Sequence, residues 1–480
     1  MAQGFHGRRY DLPLLLMEFR KRTLFDRLCG PMQDGSMRGC IISLLFSALG
    51  AGILSLPWAL ARLGLLVGMC TLLASATFSY ATMEMLVVCG LQRKKEGYAE
   101  TMSDILGTSG GAILNLVVTI DCAGAVCVFY KYMAGSVQRL AALWGCDLSL
   151  TVVIAIISFG IVLPLSLPRR ITALQHAATA SIIPLTLVIG TIIVKCPSLT
   201  SRDRISQILV PRTSIISIEA AQACSAIFFS FMCHMNVWTI RNELSNHCPR
   251  RTSKVFCRAV SALFIVYVIF AVAGAASFGS ATPPNVLEAY PVTDGVNLLV
   301  NVLMSCMLIV CSVLCVHPVR QALASLFGIN AGEPQNTAAY WMSPRGVNPP
   351  LSPRKCGGSG SSMGSSVQCS AWDTALLQAE KLKEQKQEDV EPSDSSYAAH
   401  FLLTFAVIAS TWIIASTVPS IVELLGVLGG FCGVMLMFVF PTFMYARTKF
   451  GIRAVIAAVI TMLFSVIGFS AAIGSLMLQT

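Results

Sequence analysis

Charged residues are scarce in this sequence: Asp, Glu, Lys and Arg make up 12% of its 480 residues, about half the share usual in soluble domains. That scarcity excludes a soluble globular chain. Catalytic and nucleotide-binding signatures are missing as well. There is no Walker motif, no zinc signature and no nucleophile set beside a base, so an ATP-driven pump or a membrane enzyme has no support. Histidine is rare, at six residues, and no two cysteines stand in a CxxC pair, so neither a metal site nor any other cofactor is implied.

What is present is apolar sequence. Hydrophobic residues reach 55% and mean hydropathy is +0.70. A hydrocarbon core of about 30 Å needs about 20 apolar residues in helical form. About eleven runs meet that length: 40–61, 64–91, 112–137, 149–167, 172–195, 216–239, 257–279, 296–326, 398–418, 420–446 and 453–477. Their continuity excludes the short alternating strands of a membrane barrel. The expected fold is therefore an all-α integral membrane protein embedded in lipid.

Arg8, Arg9, Arg20, Lys21, Arg22 and Arg27 surround one short apolar patch near the start, which argues against a cleavable signal and for a cytosolic N-terminus. Every second loop should then be cytosolic and basic. Arg93, Lys94 and Lys95 follow the second span, Arg169 and Arg170 the fourth, Arg250, Arg251 and Lys254 the sixth, and Arg447 and Lys449 the tenth. The loop from 280 to 295 carries Glu288 and Asp294 with no basic residue. One loop dissents, because Lys195, Arg202, Arg204 and Arg212 follow the fifth span on the expected outer side. The net charge of +10 thus reflects topology, and nucleic acid is not an expected partner.

The chain divides into a cytosolic tail (1–37), eight spans (38–328), a cytosolic insert expected to be disordered (329–397) and three spans (398–480). The C-terminus then lies opposite the N-terminus. Ser343 and Ser352 in the insert each precede proline, and Gly357 to Ser366 read GGSGSSMGSS; both a solvated linker and a regulatory segment fit that composition. Asp11, Leu15 and Leu16 have the spacing of an acidic dileucine sorting signal, so plasma membrane and endosomal or lysosomal (vacuolar) membrane are both open. Of eighteen cysteines, only Cys146 and Cys196 fall in outer loops, where a bond or two free thiols both fit.

The first span places Gly50, Ala51, Gly52, Ile53 and Leu54 ahead of Pro57. Glycine costs about 1 kcal/mol in a helix relative to alanine, and Pro supplies no N–H to the turn before it. A helix broken there exposes N–H groups that suit a carboxylate at mid-membrane. Close packing by small residues is the alternative. In the sixth span, the stretch from Cys224 to His234, with Ser225, Phe228, Phe229 and Ser230, interrupts an apolar run with small and polar residues at the corresponding place of a second half.

Four motifs in order resemble the amino acid/auxin permease family: GAGILSLPWAL at 50–60, FSFMCHMNVWTIRNEL at 229–244, VHPVR at 316–320, and Phe438, Pro441 and Tyr445 closing a Gly-rich helix. The resemblance covers 38–478. It implies a 5+5 inverted repeat with broken first and sixth helices and one extra C-terminal helix, as in the wider amino acid, polyamine and organocation superfamily. It implies amino acid symport driven by a proton or sodium gradient. By position, backbone at Gly50 to Leu54 would bind the substrate carboxylate, backbone at Ser225 to Ser230 would face its amino group, and Phe228 or Phe229 would gate. Sodium-coupled relatives often carry Asn just before the small-residue motif, where this chain has Phe46, Ser47 and Ala48; proton coupling is therefore favoured, with Ser305 and Ser312 as candidate sodium ligands. An amino acid sensor using the same cavity is the alternative function.

Ionisable residues inside spans are costly and mark function by default. Asp121 lies about nine residues, or about 14 Å, into the third span and is a candidate to relay a proton or select a cationic substrate; a salt bridge inside the bundle is the alternative. His234 is the second candidate for proton coupling, with packing as its alternative. Glu84 and Glu423 lie nearer the membrane faces.

Overall fold

The computed structural model describes residues 36–168, 182–214, 216–245, 248–326, 394–449 and 451–477. Residues 1–35 of the tail, with its dileucine spacing, Arg169, Arg170 and residues 329–393 of the insert lie outside the described residues. Every described element is helical. In chain order they are α1 (Met37–Ala48), α2 (Leu56–Leu63), α3 (Leu65–Arg93), α4 (Tyr98–Leu106), α5 (Thr108–Ala142), α6 (Leu150–Ser166), α7 (Ile182–Leu199), α8 (Arg202–Leu209), α9 (Ile218–Ser230), α10 (Val237–Glu243), α11 (Pro249–Phe278), α12 (Gly295–Leu326), α13 (Asp394–Thr417), α14 (Ile421–Thr448) and α15 (Ile452–Met477). Among the described residues, eight helices are long and apolar enough to cross a membrane, counting α9 with α10 as one; Gly52–Leu63, Leu150–Ser166 and Ile183–Cys196 are shorter apolar helices.

Packing sorts these helices into centre and periphery. In α15 only 28% of the most apolar window is buried, against 78% for the Ile218–Glu243 segment and for α14. The reason is visible in the residues of α15. Ile452, Val455, Ile456, Val459, Met462, Leu463 and Val466 are exposed, whereas Ala454, Ala457, Thr461, Gly468, Ala471 and Ser475 face the protein. Large apolar side chains turn outward and small ones inward, as expected where lipid is the solvent and close helix approach is the source of stability.

The small residues of α14 show how close that approach is. A Cβ on Gly429 would collide with the Ser225 carbonyl oxygen of α9, and one on Gly430 with the Gly468 carbonyl of α15. The same stretch, Leu428–Gly433, is wound as a π-helix, followed by a second π segment at Met435–Val439. Such bulges are frequent at functional sites in helices.

Three of the four basic residues that broke the charge pattern, Lys195, Arg204 and Arg212, have structural work at one end of the bundle. Lys195 pairs with Asp294 and lies over the Tyr290 ring at 5.4 Å. The ammonium beside it holds the Asp294 carboxyl below its usual range. Arg204 donates to the Leu199 carbonyl and to the Ser277 carbonyl at 2.7 Å, in the last turn of α11. Arg212 donates to the Ser280 carbonyl at 2.6 Å. The two arginines satisfy carbonyls that a helix end leaves without partners, a local need that outweighs the charge bias. Cys146 and Cys196 are free thiols.

Candidate substrate and coupling site at two helix breaks

Two helices break at the centre of the bundle, and the breaks touch. The first lies between α1 and α2. Leu49 leaves the helical region, Gly50 is extended at φ −101° and ψ −154°, and Ala51–Ser55 form a 3-10 turn that leads into α2. Pro57 sits in the first turn of α2, where its missing N–H costs nothing. The N–H groups of Ala51 and Gly52 open the turn and have no acceptor within it.

The second break follows α9. Ser217 caps that helix by accepting from the Ala220 N–H at 3.1 Å, and the helix runs unbroken through Ser230. Residues 231–233 then unwind ahead of a 3-10 turn at His234–Asn236 and α10. The segment from Ser225 to Ser230 is therefore regular helix. Its polar side chains are absorbed locally, since Ser225 and Ser230 donate to the carbonyls of Ala221 at 3.0 Å and Ala226 at 2.8 Å. The unwound residues Phe231, Met232 and Cys233 include no Gly or Pro, so the sequence carries no breaking signal there.

Gly52 is where the breaks meet. A Cβ at that position would stand 2.8 Å from Ser230 Oγ and 3.2 Å from Phe229 Cδ1, whereas one at Gly50 would meet nothing within 4 Å. Only Gly52 is required for the approach. Ile53 and Leu54 are fully buried beside it. Phe229 edges the junction, but Phe228 turns away. Its ring is fully buried in an aromatic cluster, 5.5 Å from Phe438 and 5.2 Å from Phe464, so of the two only Phe229 borders the junction.

Hydroxyl groups from three neighbouring helices tie down the broken backbone. Tyr132 of α5 hydrogen-bonds Ser55 at 2.7 Å. Ser79 of α3 donates to the Phe231 carbonyl at 3.4 Å. Tyr267 of α11 lies 2.6 Å from the Ser230 carbonyl and 3.1 Å from the Ala48 carbonyl. None of these was singled out from the sequence. Tyr267 had the same signal as Asp121, a polar group in the middle of an apolar run, and the hydroxyls of Ser and Thr had none.

His234 is fully buried in the second break, with Nε2 2.9 Å from Thr82 Oγ1. The Thr82 hydroxyl also lies 2.9 Å from the Phe78 carbonyl, to which it can only donate. Its oxygen then accepts from a protonated Nε2, and Nδ1, without a partner among the described residues, holds the lone pair. The ring thereby donates to Thr82 and ties the break to α3.

Asp121 is placed elsewhere. It lies eleven residues before Tyr132 on α5, about 16 Å along the helix, buried, with Oδ1 unpartnered among the described residues. The salt bridge considered as an alternative does not form: the three ion pairs among the described residues omit it, and Lys131 instead donates to the Pro419 carbonyl at 3.4 Å. The Cys432 thiol, on the π-wound part of α14, lies within electrostatic reach of Asp121. That is the stretch whose Gly429 abuts α9. Ser305 and Ser312 on α12 donate to the Asn301 and Leu308 carbonyls, each at 2.8 Å. Ser305 lines a separate cavity between α5 and α12, and the structure does not bring either serine to the breaks.

Residues 33–478 match the family model described as transmembrane amino acid transporter protein. The chain belongs to that family. It is a multi-pass membrane protein of the amino acid transporter class, as its motifs implied. Vacuolar amino acid transporter 6 of Saccharomyces cerevisiae is 22% identical over 419 residues, covering 85% of this chain and 88% of the yeast protein. Sodium-coupled neutral amino acid transporter 7 of Rattus norvegicus is 23% identical over 59% of this chain and 62% of its own length. Putative amino acid transporter AAT1 of Toxoplasma gondii is 25% identical over 65% of this chain, which spans 43% of that protein. This chain therefore matches less than two thirds of the length of the rat and Toxoplasma proteins. A manganese transporter from Eremococcus coleocola is matched at a TM-score of 0.40 and 11% identity over 92% of this chain and 94% of its own, too weak a likeness to assign a shared fold.

Proposed function

We propose that this transporter-family chain carries amino acids, neutral or cationic, by secondary active transport with alternating access. The observation that supports this most is the pair of helix breaks packed against each other at Gly52 and Ser230. An α-amino acid carries one anionic and one cationic group at fixed separation. The N–H groups opening the Ala51–Ser55 turn suit its carboxylate, and carbonyls at the ends of α1 and α9 suit its ammonium. Tight backbone contact leaves the side chain to be discriminated by neighbours such as Phe229.

The wider arrangement belongs to the same reading. Eleven crossings form a 5+5 inverted repeat with one additional helix, the N-terminus and the insert at 329–397 are cytosolic, and the two halves rock about the breaks. The coupling ion is a proton in preference to sodium. Asp121 is the candidate carrier, since a lone buried carboxyl without a cationic partner gains and loses a proton more readily than charge-paired groups do. His234 serves the lock. The membrane is the plasma membrane or an endolysosomal one.

Uptake of a radiolabelled amino acid mixture into proteoliposomes, under an imposed proton or sodium gradient, tests the proposal. Gradient-driven accumulation that Gly52→Leu abolishes supports it. Amino acid binding without flux under either gradient overturns it in favour of a sensor.

A further inference from the structure

The last carbonyls of α1 and α9, at Ala48 and Ser230, converge on one hydroxyl at the junction of the breaks. Both are the negative ends of helix dipoles, of 12 and 13 residues. Two such ends brought together repel, and in transporters with discontinuous helices this kind of place is commonly filled by a cation. Here it holds the hydroxyl of Tyr267, which is fully buried. Its oxygen lies 3.1 Å from the Ala48 carbonyl and 2.6 Å from the Ser230 carbonyl. The Ala48 carbonyl also accepts from the Gly50 N–H at 2.9 Å. The Phe231 ring packs edge-on against the tyrosine at 5.0 Å and fixes its place.

A phenol has one hydrogen to give. It can satisfy Ser230 or Ala48 at any instant but not both, so one carbonyl lobe stays available to a donor from the substrate. We propose that the Tyr267 hydroxyl stands where a coupling cation would otherwise bind between the two half-helix ends, so that the amino acid site is assembled without sodium. The inference rests on the transport reading and narrows it: Tyr267 is a positioning residue that makes the site independent of sodium.

The test compares thermal unfolding of the purified full chain in nanodiscs, in sodium chloride and in choline chloride of equal ionic strength, with no amino acid present. The wild-type protein is expected to unfold at the same temperature in both salts. Tyr267→Ser, which opens the ring volume to water and bares both carbonyls, is expected to unfold several degrees higher in sodium than in choline, because a ligand that binds only the folded state stabilises it. Tyr267→Phe removes one oxygen and is expected to weaken amino acid binding about tenfold in either salt.

Stabilisation of the wild-type protein by sodium over choline overturns the inference. So does a Tyr267→Ser protein that unfolds early with no sodium response, since a hydrogen bond with a purely structural role would behave that way. If Tyr267→Ser does not fold, binding of radiolabelled sodium to the wild-type protein decides: its absence supports the inference and saturable binding overturns it. Because the unfolding comparison contains no amino acid, it stays readable even where uptake fails and the transport reading falls.

Discussion

Gly50 and Gly52 stand two residues apart in the same motif and do different jobs. Gly50 has open space around its missing Cβ, whereas Gly52 faces Ser230 and Phe229 at contact distance. Gly50→Ala is therefore expected to leave the unfolding temperature unchanged. Gly52→Ala should destabilise the protein by about 1–3 kcal/mol, the usual cost of overpacking. Equal melting of the two variants would contradict the close approach. The two ionisable candidates divide in the same manner. Asp121 has a buried carboxyl oxygen without a partner among the described residues, and His234 a ring tied to Thr82 by a hydrogen bond. Asp121→Asn should flatten the pH dependence of uptake, and His234→Gln, which retains an N–H for Thr82, should keep the wild-type profile. Uptake assayed across pH checks both, and the opposite pattern would exchange their roles.

Among the elements, α14 connects these places. Its Gly429 rests on the Ser225 carbonyl, its Leu428 side chain meets the position of Gly124 on α5, and its Cys432 lies within electrostatic reach of Asp121. A proton taken up at Asp121 would thus be felt at the breaks through a π-wound helix with no slack between them. Gly429→Ala should lower both the unfolding temperature and uptake, because the added methyl meets backbone that cannot turn aside. Wild-type uptake in that variant would show that α14 does not couple the two places. The helices themselves were legible in the sequence, since lipid demands long apolar runs, and the first break was legible because Gly and Pro disrupt helices. The second lies inside the interrupted stretch from 224 to 234, but after the candidate residues Ser225 to Ser230 and not among them. The hydroxyls of Ser225 and Ser230 looked like an interruption but bond back to their own helix, while the residues that do unwind have ordinary side chains. Phe228 and Phe229 are identical in sequence, and only packing separates the core ring from the one at the junction.

For the whole molecule, the charge pattern gave a consistent topology except after the fifth span, where Lys195, Arg204 and Arg212 hold an acid and helix-end carbonyls. No sequence rule counts carbonyls that will lack partners, so that use was invisible beforehand. Family membership and helical architecture agree that the chain is built for transport. The central claim is that the breaks at Gly52 and Ser230 form the site through which amino acids cross. Its most direct test is radiolabelled amino acid uptake into proteoliposomes under parallel proton and sodium gradients, with Gly52→Leu alongside. The account predicts accumulation driven by the proton gradient, indifferent to sodium and abolished in Gly52→Leu. Uptake that survives Gly52→Leu in full, or that requires sodium, would contradict it.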